Sequence, residues 1–315
     1  CSSDLVIYMD IYLDALVEAN RKYTKEGHVA TYIPALAKVN PDQLGVCIYD
    51  LKENKEFSAG EYDVRFAIES ISKVPTLILA ILDNAIEKVF SEVGTEPSGF
   101  AFNSIMNMQI NHKNKPSNPF INAGAIKVVS LLKGRNDEER FKRILDFYRK
   151  IMNDDEITLD TEIYLSERET GDINRSLAYY MKGNGIMEGD VTDILDSYFK
   201  QCSVLVTAKD LARLGAVLAN EGVMPWNGER LFSVETATVV KSLMTTYGLY
   251  DESGAFSVHI GLPSKSGVGG GILSSVPNKC GIGLFSPALD VPGNSVASMK
   301  LLKEIADKLK LDIFR

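Results

Sequence analysis

The sequence predicts an α+β fold: a mostly antiparallel sheet flanked by N- and C-terminal helices, with an inserted helical subdomain. Three features of the 315-residue chain support this. Short apolar or alternating segments, typical of strands, occur toward both ends of the chain. Helix-like periodicity dominates from about residue 100 to 250, and a helical pattern lies at each end. Strands from both ends with helices between them are typical of an α+β arrangement.

We therefore expect a single domain over 1–315. Its sheet subdomain would comprise about 1–70 and 250–315, and its helical subdomain about 71–249. A cleft between the two would be the natural place for a functional site.

The first elements follow in chain order. Residues 4–22 have apolar residues at helical spacing, with Ser2 or Ser3 available as the N-cap. The segments LGVCIYD (44–50), EFSAG (56–60) and VRFAI (64–68) are predicted strands, and about 70–89 is a predicted helix. Because proline is tolerated in the first turn of a helix, Pro75 places the start of this helix close to Ser70.

The middle and the end of the chain are predicted in the same way. Helices are indicated by NAGAIKVVSLLKG, by the amphipathic EERFKRILDFYRKIM, and by TAKDLARLGAVLANEG, in which Thr207 is the N-cap and Gly222 the stop. AFSVHI (255–260), GLPSKSG (261–267), GGILSSV (270–276) and GIGLFS (281–286) are predicted strands, and about 295–310 is a helix.

Composition excludes several classes of protein. The net charge is −8, and no basic cluster is interleaved with aromatic residues, so no nucleic-acid partner is expected. No apolar run approaches the roughly 20 residues that span a bilayer, so no membrane partner is expected. The four cysteines have no C-x-x-C spacing and the three histidines no metal-ligand spacing, so we expect no metal and no cofactor. Reduced thiols indicate a cytoplasmic protein.

The pattern Ser-x-x-Lys occurs three times, at Ser70/Lys73, Ser130/Lys133 and Ser197/Lys200. Spacing alone does not separate a nucleophile and its base from ordinary helix residues. Ser70 alone follows a predicted strand and opens a helix, where its unpaired backbone N–H can bind an oxyanion and Lys73 lies on the same face. Ser130 and Ser197 fall late in helices, where serine hydroxyls bond back to the helix or meet solvent.

A second motif, Lys265-Ser266-Gly267, is the only Lys-[Ser/Thr]-Gly in the chain, and it continues into a run of glycines. Together with an early Ser-x-x-Lys it resembles the signature of penicillin-binding proteins and class A β-lactamases. The third element of that signature, Ser-x-Asn or Tyr-x-Asn, does not occur in this sequence. A bulged strand turn is the alternative interpretation of the Lys-Ser-Gly segment.

The segments SERETGDIN (166–174) and NPFINAGAI (118–126) place carboxylates beside amides. This combination suits a zwitterionic ligand, because a carboxylate pairs with an ammonium and amides donate to a carboxylate. A solvated charged turn remains the alternative for the first segment. A Ser-His-Asp triad also stays open, although no G-x-S-x-G motif supports it.

Several segments together resemble the serine-dependent glutaminases, which hydrolyse L-glutamine to L-glutamate and ammonia. They are YIPALAKV, ESISK, EPSGFAFN, NPFINAGAI, SERETGDIN, DSYFKQCS, YDESG and KSGVGGGI, which occur in this order over nearly the whole chain. The resemblance implies the β-lactamase/DD-peptidase-like fold, a homodimer or homotetramer, and L-glutamine as the small-molecule substrate.

The resemblance also implies roles for individual residues. Ser70 would be the nucleophile that forms a γ-glutamyl ester, Lys73 its base, and Tyr250 a proton donor to the leaving ammonia. Whether Lys73 or Tyr250 is the main base stays open. The N–H groups of Ser70 and Val268 would form the oxyanion hole. The residues that match substrate-binding positions are Tyr32, Ser70, Asn122, Glu167, Asn174, Tyr198, Tyr250 and Val268, with Glu167 facing the α-ammonium.

One residue departs from the family pattern. The residue before the nucleophile is commonly glutamine in this family, and here it is Glu69. A carboxylate facing the ligand would repel the substrate's α-carboxylate or attract its ammonium. Alternatively, Glu69 would pair with a lysine such as Lys73.

Two other enzyme classes and one non-enzyme class compete with this interpretation. A penicillin-interacting hydrolase on the same scaffold is disfavoured by the missing third motif. An asparaginase-glutaminase of the threonine-nucleophile class is disfavoured because no T-G-G-T segment occurs. A non-catalytic amino-acid-binding protein is disfavoured because Ser70, Lys73 and Tyr250 are all present.

Overall fold

The computed structural model describes residues 12–110 and 114–315. The predicted N-cap at Ser2 or Ser3, the part of the predicted N-terminal helix before residue 12, Cys1 and His112 lie outside this range. Within the described residues, no helix is both long and apolar enough to cross a membrane.

The helices alternate with short strands along the chain. The α-helices are α1 (12–20 in the described part), α2 (Lys73–Asn84), α3 (Ile86–Glu92), α4 (Met106–Ile110), α5 (Asn122–Ser130), α6 (Asp137–Met152), α7 (Thr161–Glu169), α8 (Asp172–Gly183), α9 (Val191–Cys202), α10 (Ala208–Ala219), α11 (Val234–Tyr247), α12 (Ser253–His259) and α13 (Val296–Leu309). The strands are β1 (Gly45–Asp50), β2 (Lys55–Gly60), β3 (Phe66–Ala67), β4 (Thr158–Leu159), β5 (Val204–Val206), β6 (Ser264–Ser266), β7 (Gly271–Val276) and β8 (Cys280–Phe285). Short 3-10 helices span Arg21–Lys25, Pro34–Lys38, Glu69–Ser72 and Tyr250–Glu252.

The main sheet has five strands in the order β2-β1-β8-β7-β6, and each neighbouring pair is antiparallel. Its strands come from both ends of the chain, which confirms the predicted sheet. A second, three-stranded sheet has the order β3-β5-β4 and is also antiparallel. The predicted strand VRFAI is therefore a strand, but β3 pairs with β5 and not with the main sheet.

The terminal helices cover one face of the main sheet, as predicted. Leu13 and Leu16 of α1 and Leu301 and Ile305 of α13 share one buried cluster with inward-facing residues of the strands, such as Ile282. The opposite face is covered by α10. Strand β8 has glycine where this helix crosses it, because a Cβ at Gly281 would lie 2.0 Å from the carbonyl oxygen of Ala212. The predicted boundary between the two subdomains stays a prediction.

The prediction of a strand over AFSVHI (255–260) was wrong, because Ser253–His259 form α12. The letters alternate as in a strand, but the buried residues are Ser253, Phe256 and Ile260, which have the three-to-four spacing of a helix. Phe256 packs into the core under the terminal helices, whereas Val258 is 76% exposed. Burial in the folded protein therefore favours a helix here, although apolar and polar residues alternate in the sequence as they do in a strand.

Candidate active site

The turn that carries Ser70 connects β3 to α2. Glu69–Ser72 form a 3-10 helix that runs directly into α2 at Lys73, with Pro75 in the first turn of α2. This confirms a helix start at Ser70. Glu69 has a φ of 48°, a left-handed conformation that is strained for a residue with a side chain.

The strand segment after Lys265 packs closely against this turn. A Cβ at Gly269 would lie 2.1 Å from the carbonyl oxygen of Ala67, and one at Gly267 would lie 2.8 Å from that of Ile68. Only glycine allows this approach. Val268 lies between the two glycines, and among the described residues no acceptor takes its N–H or that of Ser70. Both N–H groups are thus free to bind a developing oxyanion.

Lys73 is buried, with 2% of its surface exposed. Its Nζ donates to the carbonyl oxygen of Phe120 at 3.0 Å and to Oδ1 of Asn122 at 2.8 Å, and Nδ2 of Asn122 donates to Oδ1 of Asn174 at 2.9 Å. Burial lowers the pKa of Lys73 to about 8. The neighbouring acidic groups oppose this shift: Cys202, Glu69 and Glu167. A buried amine with a lowered pKa can accept the proton of a serine.

The other two Ser-x-x-Lys pairs are structural, as predicted. The hydroxyl of Ser130 donates to the carbonyl oxygen of Lys127 at 2.6 Å, one turn back in α5. The hydroxyl of Ser197 donates to Oδ1 of Asp137 at 2.9 Å, and Lys200 forms an ion pair with the same aspartate. Ser130 therefore bonds back within its own helix, and Ser197 ties α9 to α6.

Tyr250 also has a left-handed backbone, with a φ of 51°. Its buried hydroxyl lies beside Ser70, which lowers the pKa of the phenol, while burial raises that pKa more strongly. The two hydroxyls do not meet hydrogen-bond geometry, and the phenol has no other partner among the described residues. Nζ of the buried Lys265 lies 4.6 Å from the centre of the Tyr250 ring. Tyr250 therefore holds its proton at neutral pH and can donate it.

A cavity of about 110 Å³ lies over Ser70. Its lining includes six residues that the sequence predicted: Tyr32, Ser70, Asn122, Glu167, Asn174 and Tyr198. Lys73 does not line the cavity, but it bonds to the lining residue Asn122. Tyr250 is next to the cavity, because the centre of its ring lies 5.0 Å from that of the lining residue Phe102. Val268 lines an adjoining groove that shares Tyr32 and Phe102 with the cavity.

Two carboxyl groups line this cavity, Glu69 from the Ser70 turn and Glu167 from α7. They are 3% and 9% exposed. Burial raises the pKa of both groups, and the charge of Glu167 raises the pKa of Glu69 further. The expected ion pair of Glu69 with Lys73 does not form, since Nζ of Lys73 bonds to a carbonyl and an amide instead.

Several residues that the sequence singled out lie away from the cavity. Glu169 and Asp172 are exposed, and Asn118 caps its own loop by accepting the N–H of Phe120. His28 and His259 do not line the cavity. Among the described residues no cluster of His, Cys, Asp and Glu could hold a metal ion.

Sequence reasoning missed part of the cavity wall. The lining also includes Phe102, Asn103, Thr170, Gly171, Ile173 and Cys202. All six lie within three segments that match the family: EPSGFAFN, SERETGDIN and DSYFKQCS. Their position in these segments was therefore the signal from which they could have been predicted.

Known proteins match the chain closely. A family model described as Glutaminase matches residues 27–314. Glutaminase 1 of Clostridium perfringens (strain 13 / Type A) is 98% identical over 307 residues, which cover 98% of this chain and 100% of the relative. Glutaminase 2 of the same organism is 55% identical over 306 residues, which cover 97% and 100%.

Solved structures agree. The covalent complex between the Bacillus subtilis glutaminase YbgJ and 5-oxo-L-norleucine, formed by reaction with 6-diazo-5-oxo-L-norleucine, has a TM-score of 0.88 at 36% identity, covering 97% of this chain and 99% of that chain. Mglu in its glutamate form has a TM-score of 0.91 at 35% identity, covering 97% and 67%. The predicted β-lactamase/DD-peptidase-like fold is thereby confirmed. The chain belongs to the glutaminase family.

Proposed function

We propose that this chain hydrolyses L-glutamine to L-glutamate and ammonia through a γ-glutamyl ester on Ser70. The observation that carries the proposal is that Ser70 lines a cavity and is followed one turn later by Lys73, a buried lysine that bonds to the lining residue Asn122 and has a lowered pKa. The related YbgJ enzyme forms a covalent complex after reaction with 6-diazo-5-oxo-L-norleucine. A covalent mechanism in this chain is consistent with that behaviour.

The first half-reaction forms the ester. Oγ of Ser70 attacks the γ-carboxamide carbon, and neutral Lys73 accepts the hydroxyl proton. The carbonyl oxygen becomes an oxyanion, which the N–H groups of Ser70 and Val268 stabilise. Collapse of the intermediate breaks the carbon–nitrogen bond, and Tyr250 donates a proton so that the nitrogen leaves as ammonia.

The second half-reaction releases the acid. The Lys73 ammonium returns its proton to the Tyr250 phenolate. A water molecule then attacks the ester carbon and gives a proton to neutral Lys73, which passes it to Oγ of Ser70 as the ester bond breaks and L-glutamate forms. The directions of the two pKa shifts favour Lys73 over Tyr250 as the base. The pKa of Lys73 is lowered to about 8 by burial, whereas burial raises the pKa of the Tyr250 phenol.

The cavity wall supplies partners for the amino-acid end of the substrate. Glu167 can pair with the α-ammonium, because it is a buried carboxyl at the cavity wall that forms no ion pair with any described residue. Asn122, Asn174 and Tyr198 can donate to the α-carboxylate. Tyr32 is 59% exposed and stands at the mouth, where it can contact the substrate as it enters.

Replacing the nucleophile tests this proposal. Ser70→Ala should reduce ammonia release at least about 1,000-fold while the circular dichroism spectrum stays unchanged. Ser130→Ala, at a Ser-x-x-Lys pair remote from the cavity, is the matched control and should keep its turnover. After treatment with 6-diazo-5-oxo-L-norleucine, mass spectrometry should find the adduct on the Ser70 peptide. Undiminished turnover in Ser70→Ala would refute the mechanism, and glutamate binding without turnover in the wild type would indicate a binding protein.

Location and assembly are part of the same proposal. We infer a cytoplasmic enzyme because Cys47, Cys202 and Cys280 are unpaired and buried, which suits a reducing compartment. We infer a homodimer or homotetramer from the family resemblance. Light scattering on the purified full chain tests the assembly, and a monomer at working concentration would contradict it.

A further inference from the structure

Glu69 lines the cavity together with Glu167, and the proposed reaction gives Glu69 no role. Glu69 follows the strand that leads to Ser70, and its left-handed backbone holds its side chain at the cavity wall. Oε1 of Glu69 has no hydrogen-bond partner, and neither carboxyl forms an ion pair with any described residue. A buried polar atom without a partner at the wall of a binding cavity is rare in native structures, and it indicates a role there.

Among the described groups that face Glu69, only one carries a positive charge. The titratable groups that face Glu69 from the elements packed against it are Lys73, Glu167, Tyr32, Tyr198, Cys202 and Tyr250. Of these only Lys73 is a cation, and its Nζ bonds to Phe120 and Asn122. The facing segment after Lys265 contributes Gly269, which carries no charge.

Two adjacent carboxyls in such a place cannot both ionise near neutral pH. Burial and mutual repulsion hold one proton on the pair. Glu69 is the more deeply buried of the two, 3% against 9% exposed, and burial and the charge of Glu167 raise its pKa well above the usual range, so we place the proton on Glu69. Burial also raises the pKa of Glu167, and the neighbouring Glu69 carboxyl and Lys73 partly oppose that shift.

We propose that Glu69 is a specificity-determining residue that acts as a neutral carboxylic acid, donating its proton to Glu167 so that the pair presents one negative charge to the single α-ammonium of the substrate. The inference rests on the proposed function, because it takes the ligand to be a zwitterionic amino acid. Protonated Glu69 orients Glu167 and adds no charge that would repel the α-carboxylate.

If Glu69 must be neutral for the substrate to bind, binding should weaken as the pH rises. When the proton is lost at alkaline pH, the pair carries two charges, while the bound zwitterion has no net charge. The second charge then has no ammonium to pair with and repels the substrate's α-carboxylate, which weakens binding. KM should therefore rise by about tenfold per pH unit above the point where the pair loses its proton.

The test compares KM between wild type and Glu69→Gln from about pH 6 to about pH 10. The glutamine amide is neutral at every pH and can still donate to Glu167. KM of the variant should match the wild type at the acid end and should lack the alkaline rise. Deprotonation of the substrate's own α-ammonium affects both enzymes alike, so the difference belongs to Glu69. The matched control is Glu162→Gln, an exposed glutamate on the same helix as Glu167, which should follow the wild type.

Two results would overturn the inference: superimposed KM profiles for wild type and Glu69→Gln, or a folded Glu69→Gln that is inactive at every pH. Glu69→Ala guards against a folding failure of the first variant. It removes both the donor and the charge, so its KM should be higher than that of wild type at neutral pH but should not rise further in the alkaline range. A failure of the proposed function would appear separately, as turnover in Ser70→Ala.

Discussion

Asn122→Asp places a carboxylate against the amine that we propose as the base. Nζ of Lys73 lies 2.8 Å from Oδ1 of Asn122, so the new carboxylate would form a buried ion pair with Lys73. An opposite charge within this distance favours the ammonium and raises the pKa of a lysine by about 1 to 3 units. The amine would then hold its proton more tightly and would be a poorer acceptor for the proton of Ser70.

The size of the effect follows from the starting value. The pKa of Lys73 is lowered to about 8 by burial. Near pH 7 about a tenth of the enzyme then has a neutral amine, and raising the pKa by about 1 to 3 units reduces this fraction about 10- to 1,000-fold. The sign is fixed, because only the neutral amine accepts a proton, so activity is lost as pH falls. The acid limb of kcat should move to higher pH by the same shift.

The assay is ammonia release under saturating glutamine, measured as kcat against pH. Loss of the amide donor to Asn174 will change KM as well, so the position of the acid limb in kcat is the deciding quantity. Asn103→Asp is the matched control, because Asn103 lines the same cavity but does not bond to Nζ of Lys73. Its acid limb should stay in place. An acid limb that does not move in Asn122→Asp would refute Lys73 as the base.

Two further predictions concern the scaffold. Gly281→Ala should destabilise the protein by about 3 kcal/mol or more in a denaturant titration, because the new Cβ would lie 2.0 Å from the carbonyl oxygen of Ala212 and 2.1 Å from the nitrogen of Ala216. Thr207→Ala should cost about 1 kcal/mol in the same experiment. It removes the capping box in which Thr207 and Asp210 satisfy each other's N–H groups at the start of α10.

Each scaffold prediction has a control of the same chemistry. Gly254→Ala, in α12, meets no heavy atom within 4 Å and should be neutral or stabilising by about 0.5 to 1 kcal/mol. Thr238→Ala, on the exposed face of α11, removes a hydroxyl that bonds back to Val234 and should change stability by no more than about 0.5 kcal/mol. Equal losses in test and control variants would contradict the structural reasons given for Gly281 and Thr207.

Much of the scaffold and the chemistry could be predicted from local sequence. Strand alternation and turn residues identify the five strands of the main sheet. Helix start signals place Ser70 at a helix start and Thr207 as a cap, and the structure agrees in both cases. The contrast between Ser70 and the other two serines was also predictable, because it depends on position within a helix. These features are set by interactions between residues that are near in the chain.

Tertiary structure decided what depends on burial and on contacts between distant segments. The alternating letters of 255–260 became a helix because the core accepted Phe256 and Ile260 at helical spacing. The lowered pKa of Lys73 arises from burial, a property that the pattern Ser-x-x-Lys does not contain. Glu69 could be seen in the sequence as a departure from the family. Only the fold placed it beside Glu167 at the cavity wall, where burial and repulsion between the two carboxyls keep a proton on the pair.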